Sequence, residues 1–214
     1  TEKSLVKLSG TYFYRKDYGK AIGFYQQLEP IAASKSTYIS SIMGQMRCHY
    51  ILKNYNDAKA KAIQLLPIEN VPTEDLVEAN MLLGRLQLKD NNLRTARFHF
   101  DYVIANSRNE QTAEALYQRG YIEYDQGDLD SARSDVYKLQ DDFSAYEFWV
   151  VKGFILLSDI YVKEKDYFQA KATLKSILDN YNKEGDGLLD MCRMKLKQLE
   201  KMGNTDDAAP LEEE

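Results

Sequence analysis

Apolar and polar residues alternate along this chain with a helical period. From Ala113 to Asp125 the apolar or small positions are Ala113, Leu116, Tyr117, Gly120, Tyr121 and Tyr124. Steps of three and four place them on one face of a helix. Gly127-Asp128 then breaks the pattern, with Gly127 suited to a left-handed helix end and Asp128 to capping the next helix. A second amphipathic stretch follows, with Leu129, Ala132, Val136 and Leu139 on one face. The same plan returns with Phe154, Leu157, Ser158 and Tyr161, then with Tyr167, Ala170, Leu174 and Ile177. The predicted element is a pair of amphipathic helices joined by a tight turn.

That element recurs at nearly constant spacing. Ala21, Ala58, Ala96, Ala132 and Ala170 each close a short turn motif, and subtraction of their numbers gives steps of 37, 38, 36 and 38 residues. A helical pattern with a period of this size means stacked helix-turn-helix repeats, with no single closed core. Aligned on these alanines, several columns keep their chemistry. Four places before stand Asp17, Asn54, Asn92, Asp128 and Asp166, all good helix caps. Three before stand Tyr18, Tyr55, Leu93, Leu129 and Tyr167, large enough to pack across the turn. Twelve before stand Ser9, Met46, Gly84, Gly120 and Ser158; Met46 breaks the small-residue rule, and Gly44 lies two places earlier. Seven after stand the aliphatic residues Leu28, Leu65, Val103, Leu139 and Ile177. Small residues at facing positions let paired helices approach closely.

The small residue of the first helix, the Gly/Asn-Asp-Tyr turn and the anchoring alanine together resemble the tetratricopeptide repeat (TPR). The likeness covers about residues 3–182, although the steps exceed the ~34 residues usual for that repeat. It implies an all-α, right-handed α-solenoid of about five TPR-like helix-turn-helix repeats. The units fall near 3–35, 36–72, 73–109, 110–144 and 145–182. Leu188, Leu189, Met191, Cys192, Met194, Leu196, Leu199 and Met202, interspersed with Lys and Arg, predict a C-terminal capping helix over 186–203. The runs Tyr161-Val162-Lys163 and Asp166-Tyr167-Phe168-Gln169-Ala170, ending at Asn180-Tyr181, are similar to C-terminal arrays of large Gram-negative cell-envelope TPR proteins. That likeness implies a bacterial envelope scaffold, periplasmic, with a cytoplasmic location as the alternative.

Charge narrows the range of partners. Residues 204–214 hold five acids and no base, and read as an acidic disordered tail. The chain has 33 acids and 28 bases, so without that tail the count is 28 to 28. A neutral repeat body lacks the basic surplus that nucleic-acid binding needs. No apolar run approaches the ~20 residues of a membrane helix; Phe148 to Leu157 is interrupted by Lys152. The first residue is Thr1 and no signal peptide is visible, so a processed or excised form is expected and its location stays open. Cys48 and Cys192 stand about four repeats apart, too far for a disulfide between stacked units.

Catalytic and metal-binding patterns are weak. His49 occupies a column held elsewhere by Tyr12 and Tyr161, which predicts a packed ring with a polar tip. His99, within Arg97-Phe98-His99-Phe100-Asp101, is expected at the surface. Neither has a Cys or His partner three or four places on, as a metal site would require. Asn180, Asn182, Glu184 and Gly185 imitate the start of a calcium loop, but Met191 stands where its closing Glu would be. The expectation is therefore no catalytic residue, no metal ligand, no cofactor and no enzyme.

Where the likeness holds, first helices of successive repeats line a groove that takes peptides. Its columns stand fifteen, eleven and eight places before the alanines, the first of them carrying Val6, Met43, Met81, Tyr117 and Ile155. Phe13, Arg47, Tyr50, Arg85, Tyr117, Tyr121, Tyr124 and Asp159 are the predicted peptide-binding residues. Arg47 and Arg85 would receive an acidic group of an apolar peptide, or else solvate the face and pair with Glu78 and Glu114. The expected function is a noncatalytic scaffold for a protein or peptide of unidentified kind, without nucleic acid or membrane insertion. A structural spacer, or a segment that self-associates through its first repeat, is the alternative.

Overall fold

The computed structural model describes residues 1–206, and all of the regular structure there is helical. Of the predicted tail, residues 204–206 continue the last helix instead of beginning a disordered end, and the greater part lies outside the described residues. The chain divides into two compact units, Thr1–Ser107 and the residues from Arg108 onward.

The first unit holds three helix pairs: α1 (Glu2–Tyr14) with α2 (Tyr18–Leu28), α3 (Lys35–Ile51) with α4 (Tyr55–Leu65), and α5 (Thr73–Lys89) with α6 (Leu93–Asn106). A single 3-10 turn, Glu29–Ile31, follows α2. The second unit holds α7 (Glu110–Gln126) with α8 (Leu129–Phe143), α9 (Glu147–Lys163) with α10 (Tyr167–Asn180), and a last helix, α11 (Leu188–Asp206). The last helix begins later than the predicted residue 186. Gly187 has φ 80° and Asp186 accepts from the Leu188 amide at 3.0 Å, which holds both outside the helix.

All five turns inside the pairs have one construction. Lys16, Lys53, Asn91, Gly127 and Lys165 each take a left-handed φ between 59° and 85°. The amide of each returns to a carbonyl three places back, and the next amide reaches five back, as in Lys53 to Tyr50 and Asn54 to His49 at 3.0 and 2.8 Å. These are the bonds of a Schellman helix end. The next residue is the predicted cap: Asp17, Asn54, Asn92, Asp128 and Asp166 all sit at the N-cap of the following helix. The three aspartates accept from backbone amides three places on. Thus one helix ends and the next begins within three or four residues, with most of the exposed backbone groups satisfied locally.

The packing columns also behave as read. All five anchoring alanines are fully buried, and the aliphatic column seven places later is buried throughout. The irregular second copy has a physical reason: a Cβ on Gly44 would lie 2.3 Å from the Tyr25 ring, so this glycine admits α2 against α3. At Gly84 the same role is played toward Phe100 on α6, at 2.6 Å. Met46 is itself fully buried in the core of α3, α4 and α5.

Charged side chains brace successive pairs inside each unit. Lys59 on α4 reaches Asp90 after α5 at 3.3 Å, and Arg133 on α8 reaches Glu164 after α9 at 2.5 Å. Both cations follow an anchoring alanine, and both acids are helix C-caps.

Candidate interaction surfaces

Each predicted groove residue lies on the first helix of a pair, and each is half-buried or exposed. The fifteen-places-before column is a correction: Met43, Met81 and Ile155 are buried core residues, and of that column only Val6 and Tyr117 reach the surface. Met43 packs into the core of α3, α4 and α5 and Ile155 into that of α9, α10 and α11, so neighbouring helices rather than the column's own face take these residues out of solvent.

In the first unit, Phe13 packs edge-on to Tyr18 with ring centres 5.7 Å apart, and Tyr50 tilts against Tyr55 at 5.8 Å. Arg47 forms a two-pronged pair with Glu78 on α5, Nε and Nη2 donating at 2.7 and 2.5 Å. Asp75 stands 3.8 Å from the same guanidinium. The hydrogen bond with Glu78 leads in holding Arg47 more firmly protonated than usual. An incoming carboxylate meets this arginine only in exchange for Glu78. Arg85 is half-buried on α5.

In the second unit, Tyr117, Tyr121 and Tyr124 follow one another along α7, and Tyr121 is 42% exposed. Tyr117 faces Trp149 on α9, with ring centres 5.8 Å apart, and Trp149 meets Phe148 edge-on at 5.0 Å. Lys152 Nζ lies 4.3, 5.0 and 5.6 Å from the ring centres of Tyr117, Trp149 and Phe148. Burial lowers the Lys152 pKa, opposed by Glu114. Burial also pushes the Tyr117 phenol up to about 12, helped by Tyr121 and Asp159. Lys163 Nζ sits 3.8 Å over the Tyr124 ring and donates to the Tyr124 carbonyl at 2.7 Å. Asp159 accepts from Lys195 on α11 at 2.6 Å. Sequence reading missed Trp149, Phe148 and Lys152 as one cluster. Its signal was present as the lysine interrupting the apolar run, but the three rings come from two helices.

The histidines settle as interior groups. His49 is 8% exposed, with Nδ1 3.7 Å from Asp57, as a packed ring with a polar tip. His99, expected at the surface, is 7% exposed. Its Nδ1 donates to Asn80 Oδ1 at 2.8 Å, and Asn80 Nδ2 donates to the Leu76 carbonyl at 2.8 Å. Burial lowers both histidine pKa values. Among the described residues no group of three or more His, Cys, Asp and Glu is placed to hold a metal ion, and no helix is long and apolar enough to cross a membrane.

No family model matches the chain, and no curated protein sequence does. Solved structures do. A tetratricopeptide repeat protein from Parabacteroides merdae is similar with a TM-score of 0.74 at 12% identity, covering 94% of this chain and 73% of that one. YrrB, described as a TPR protein with an unusual peptide-binding site, is similar at TM-score 0.68 and 17% identity, covering 91% and 90%. PilW, described as a widely conserved type IV pilus biogenesis factor, is similar at TM-score 0.64 and 17% identity, covering 97% and 88%. Identities this low show the fold: an all-α helical-repeat array of the tetratricopeptide kind.

Proposed function

We propose that this chain is a noncatalytic scaffold that holds a protein or peptide partner against the first helices of its pairs. The observation that carries the reading is the stripe of Tyr117, Tyr121 and Tyr124 on α7, backed by Trp149 and Lys152 on α9. Tyrosines offer large contact area with little conformational entropy to lose, and Tyr, Trp and Arg dominate the energetic centres of interfaces. YrrB, of like fold, is described by its peptide-binding site, which favours the same use here.

Phe13, Arg47, Tyr50 and Arg85 form the corresponding surface of the first unit, and Asp159 closes the stripe of the second. A partner carboxylate would exchange for Glu78 at Arg47. One charge pair then replaces another, so this contact sets specificity more than affinity. The envelope placement belongs to the same proposal and rests on sequence likeness alone. A spacer or self-associating segment is the second reading, favoured by Val6 and Leu8 on α1, which are 47% and 38% exposed.

The test is crosslinking in cells, followed by mass spectrometry, of the native chain beside a Tyr121→Ala/Tyr124→Ala variant of equal thermal stability. Loss of a specific crosslinked partner by at least tenfold is the expected result. Equal capture by both forms would remove the tyrosine stripe from the interface. Crosslinks only between copies of this chain would favour self-association.

A further inference from the structure

A second candidate site lies on a different face of α9. Counted from the anchoring alanines, three positions converge on the seam between the two helices of a pair: sixteen places before, thirteen before and three after. In three pairs that seam is closed by a polar link from the third of these positions. Lys61 reaches Glu29 at 2.8 Å, and Glu29 also accepts from Gln45 at 2.6 Å. His99 is bonded to Asn80 at 2.8 Å. Asp135 takes a two-pronged bond from Arg119 at 2.7 and 2.5 Å. In the first pair Phe24 holds the position and stacks on Tyr12 with ring centres 5.2 Å apart.

The last pair departs from this rule. Its matching residues are Phe154, Leu157 and Thr173. The Thr173 hydroxyl donates to the Gln169 carbonyl of its own helix, at 2.8 Å, and bridges nothing. Val150 stands where the second pair has Tyr38, and Ser176 where it has Gln64; there Gln64 bonds both Tyr38 and Glu29. With apolar or short groups at these places, a cleft of about 690 Å3 opens along α9 and α10. This volume lies within the ~300–1,000 Å3 range of ligand sites.

The lining specifies the ligand's chemistry. One wall is apolar, with Val150, Phe154 and Leu157 on α9. The other is an uncharged polar stripe on α10, formed by Gln169, Thr173, Ser176 and Asn180. The charged lining residues, Glu147 and Lys183, are paired with each other at 2.9 Å. A ligand charge would therefore meet only this exposed, already paired couple at one end of the cleft, and elsewhere would lose water without compensation. From Gln169 to Asn180 the stripe is about 16 Å long at 1.5 Å per residue. Five extended residues span about 16 Å. The Gln169 amide and Ser176 hydroxyl can both donate and accept, as a peptide backbone requires. The Thr173 hydroxyl donates to its own helix, and Asn180 Nδ2 donates to the Ser176 carbonyl at 2.8 Å, leaving Asn180 its oxygen and a second N–H.

We infer that the α9–α10 cleft binds an uncharged, apolar peptide segment that runs about 16 Å along the polar stripe, the length of five extended residues. The site is separate from the tyrosine stripe and stands or falls without it.

The test titrates the isotope-labelled full chain with N-acetylated, C-amidated Ala-Val-Leu-Val-Ala, and with analogues carrying Glu or Lys at the centre, followed by nuclear magnetic resonance. Saturable shifts confined to residues 144–183, with the neutral peptide at least tenfold tighter than either analogue, are expected. Ala172→Trp fills the cleft from an exposed position and should abolish these shifts with its melting temperature kept. Gln169→Ala/Asn180→Ala leaves the cleft open and should weaken binding several-fold, while Tyr121→Ala should leave it unchanged. Absence of saturable shifts, equal affinity of charged and neutral peptides, or binding that survives Ala172→Trp would overturn the inference. So would saturation by laurate with the peptides silent, which would make the cleft an acyl-chain site.

Discussion

At the scale of single residues, the two histidines tie stability to pH. Both are buried, and burial lowers both pKa values below the ordinary 6.5; at His49 the Asp57 carboxylate opposes the shift, and at His99 the Lys59 ammonium adds to it. Above pH 6.5 both are neutral in either state, and the folded chain bears no penalty. As pH falls through 6.5 toward the lower folded values, the unfolded chain takes up protons first and stability is lost. Each histidine contributes a slope of at most about 1.4 kcal/mol per pH unit in that window. His99→Gln should flatten the fall between pH 7 and 5, as measured by urea midpoints. An unchanged slope would mean that the Asn80 link tolerates a charged ring. The placement of His99 was hidden in the sequence because Arg97 and Asp101 flank it. Its partner Asn80 lies on the other helix of the pair.

At the scale of the element, the turns explain why the repeat was so legible. A cap residue, a large residue and an alanine at fixed offsets record local backbone geometry, which sequence reports well. The left-handed residue before each cap was legible only at Gly127. Three of the other positions carry Lys, a type that does not advertise positive φ, and Asn91 gives only a weaker signal than glycine. The cost of holding a lysine there, ~1–2 kcal/mol, is offset in part by the extra unfolded-state freedom of glycine. Lys53→Gly should therefore raise stability by about 0.5–1 kcal/mol, read from the denaturant midpoint at constant slope. Destabilisation instead would show that the Lys53 side chain contributes more than its backbone costs. The seam links were illegible for a different reason. Lys61, His99, Asp135 and Thr173 share an offset but no chemistry, and the partners of the first three lie sixteen to thirty-two residues away. Only contact geometry groups them, and only then does the last pair stand out as open. The aromatic cluster around Lys152 was half legible: the tyrosines fell in a column, but Trp149 did not.

At the scale of the whole molecule, each compact unit carries its own thiol. Cys48 lies in α3 of the first unit and Cys192 in α11 of the second, and both are fully buried. Burial raises each thiol to about 11, so neither reacts at pH 8 without local opening. Cys48 is enclosed by residues of α1 and α2, whereas α11 packs chiefly on α10. A helix held chiefly by one neighbour opens more readily than one packed on several. Cys192 should react with a thiol reagent at least tenfold faster than Cys48 in the native chain. Equal rates would mean that one cooperative opening exposes both. The self-contained turns also bear on how the chain is made. Each is closed by bonds spanning no more than five residues. Loops of ~10 residues close in ~10–100 ns, whereas synthesis at ~5–20 residues per second delivers a further pair every ~2–7 s. Every turn can thus be set long before the next pair is translated, so the emerging chain waits on the arrival of its neighbour's packing surface rather than on any search for its own topology.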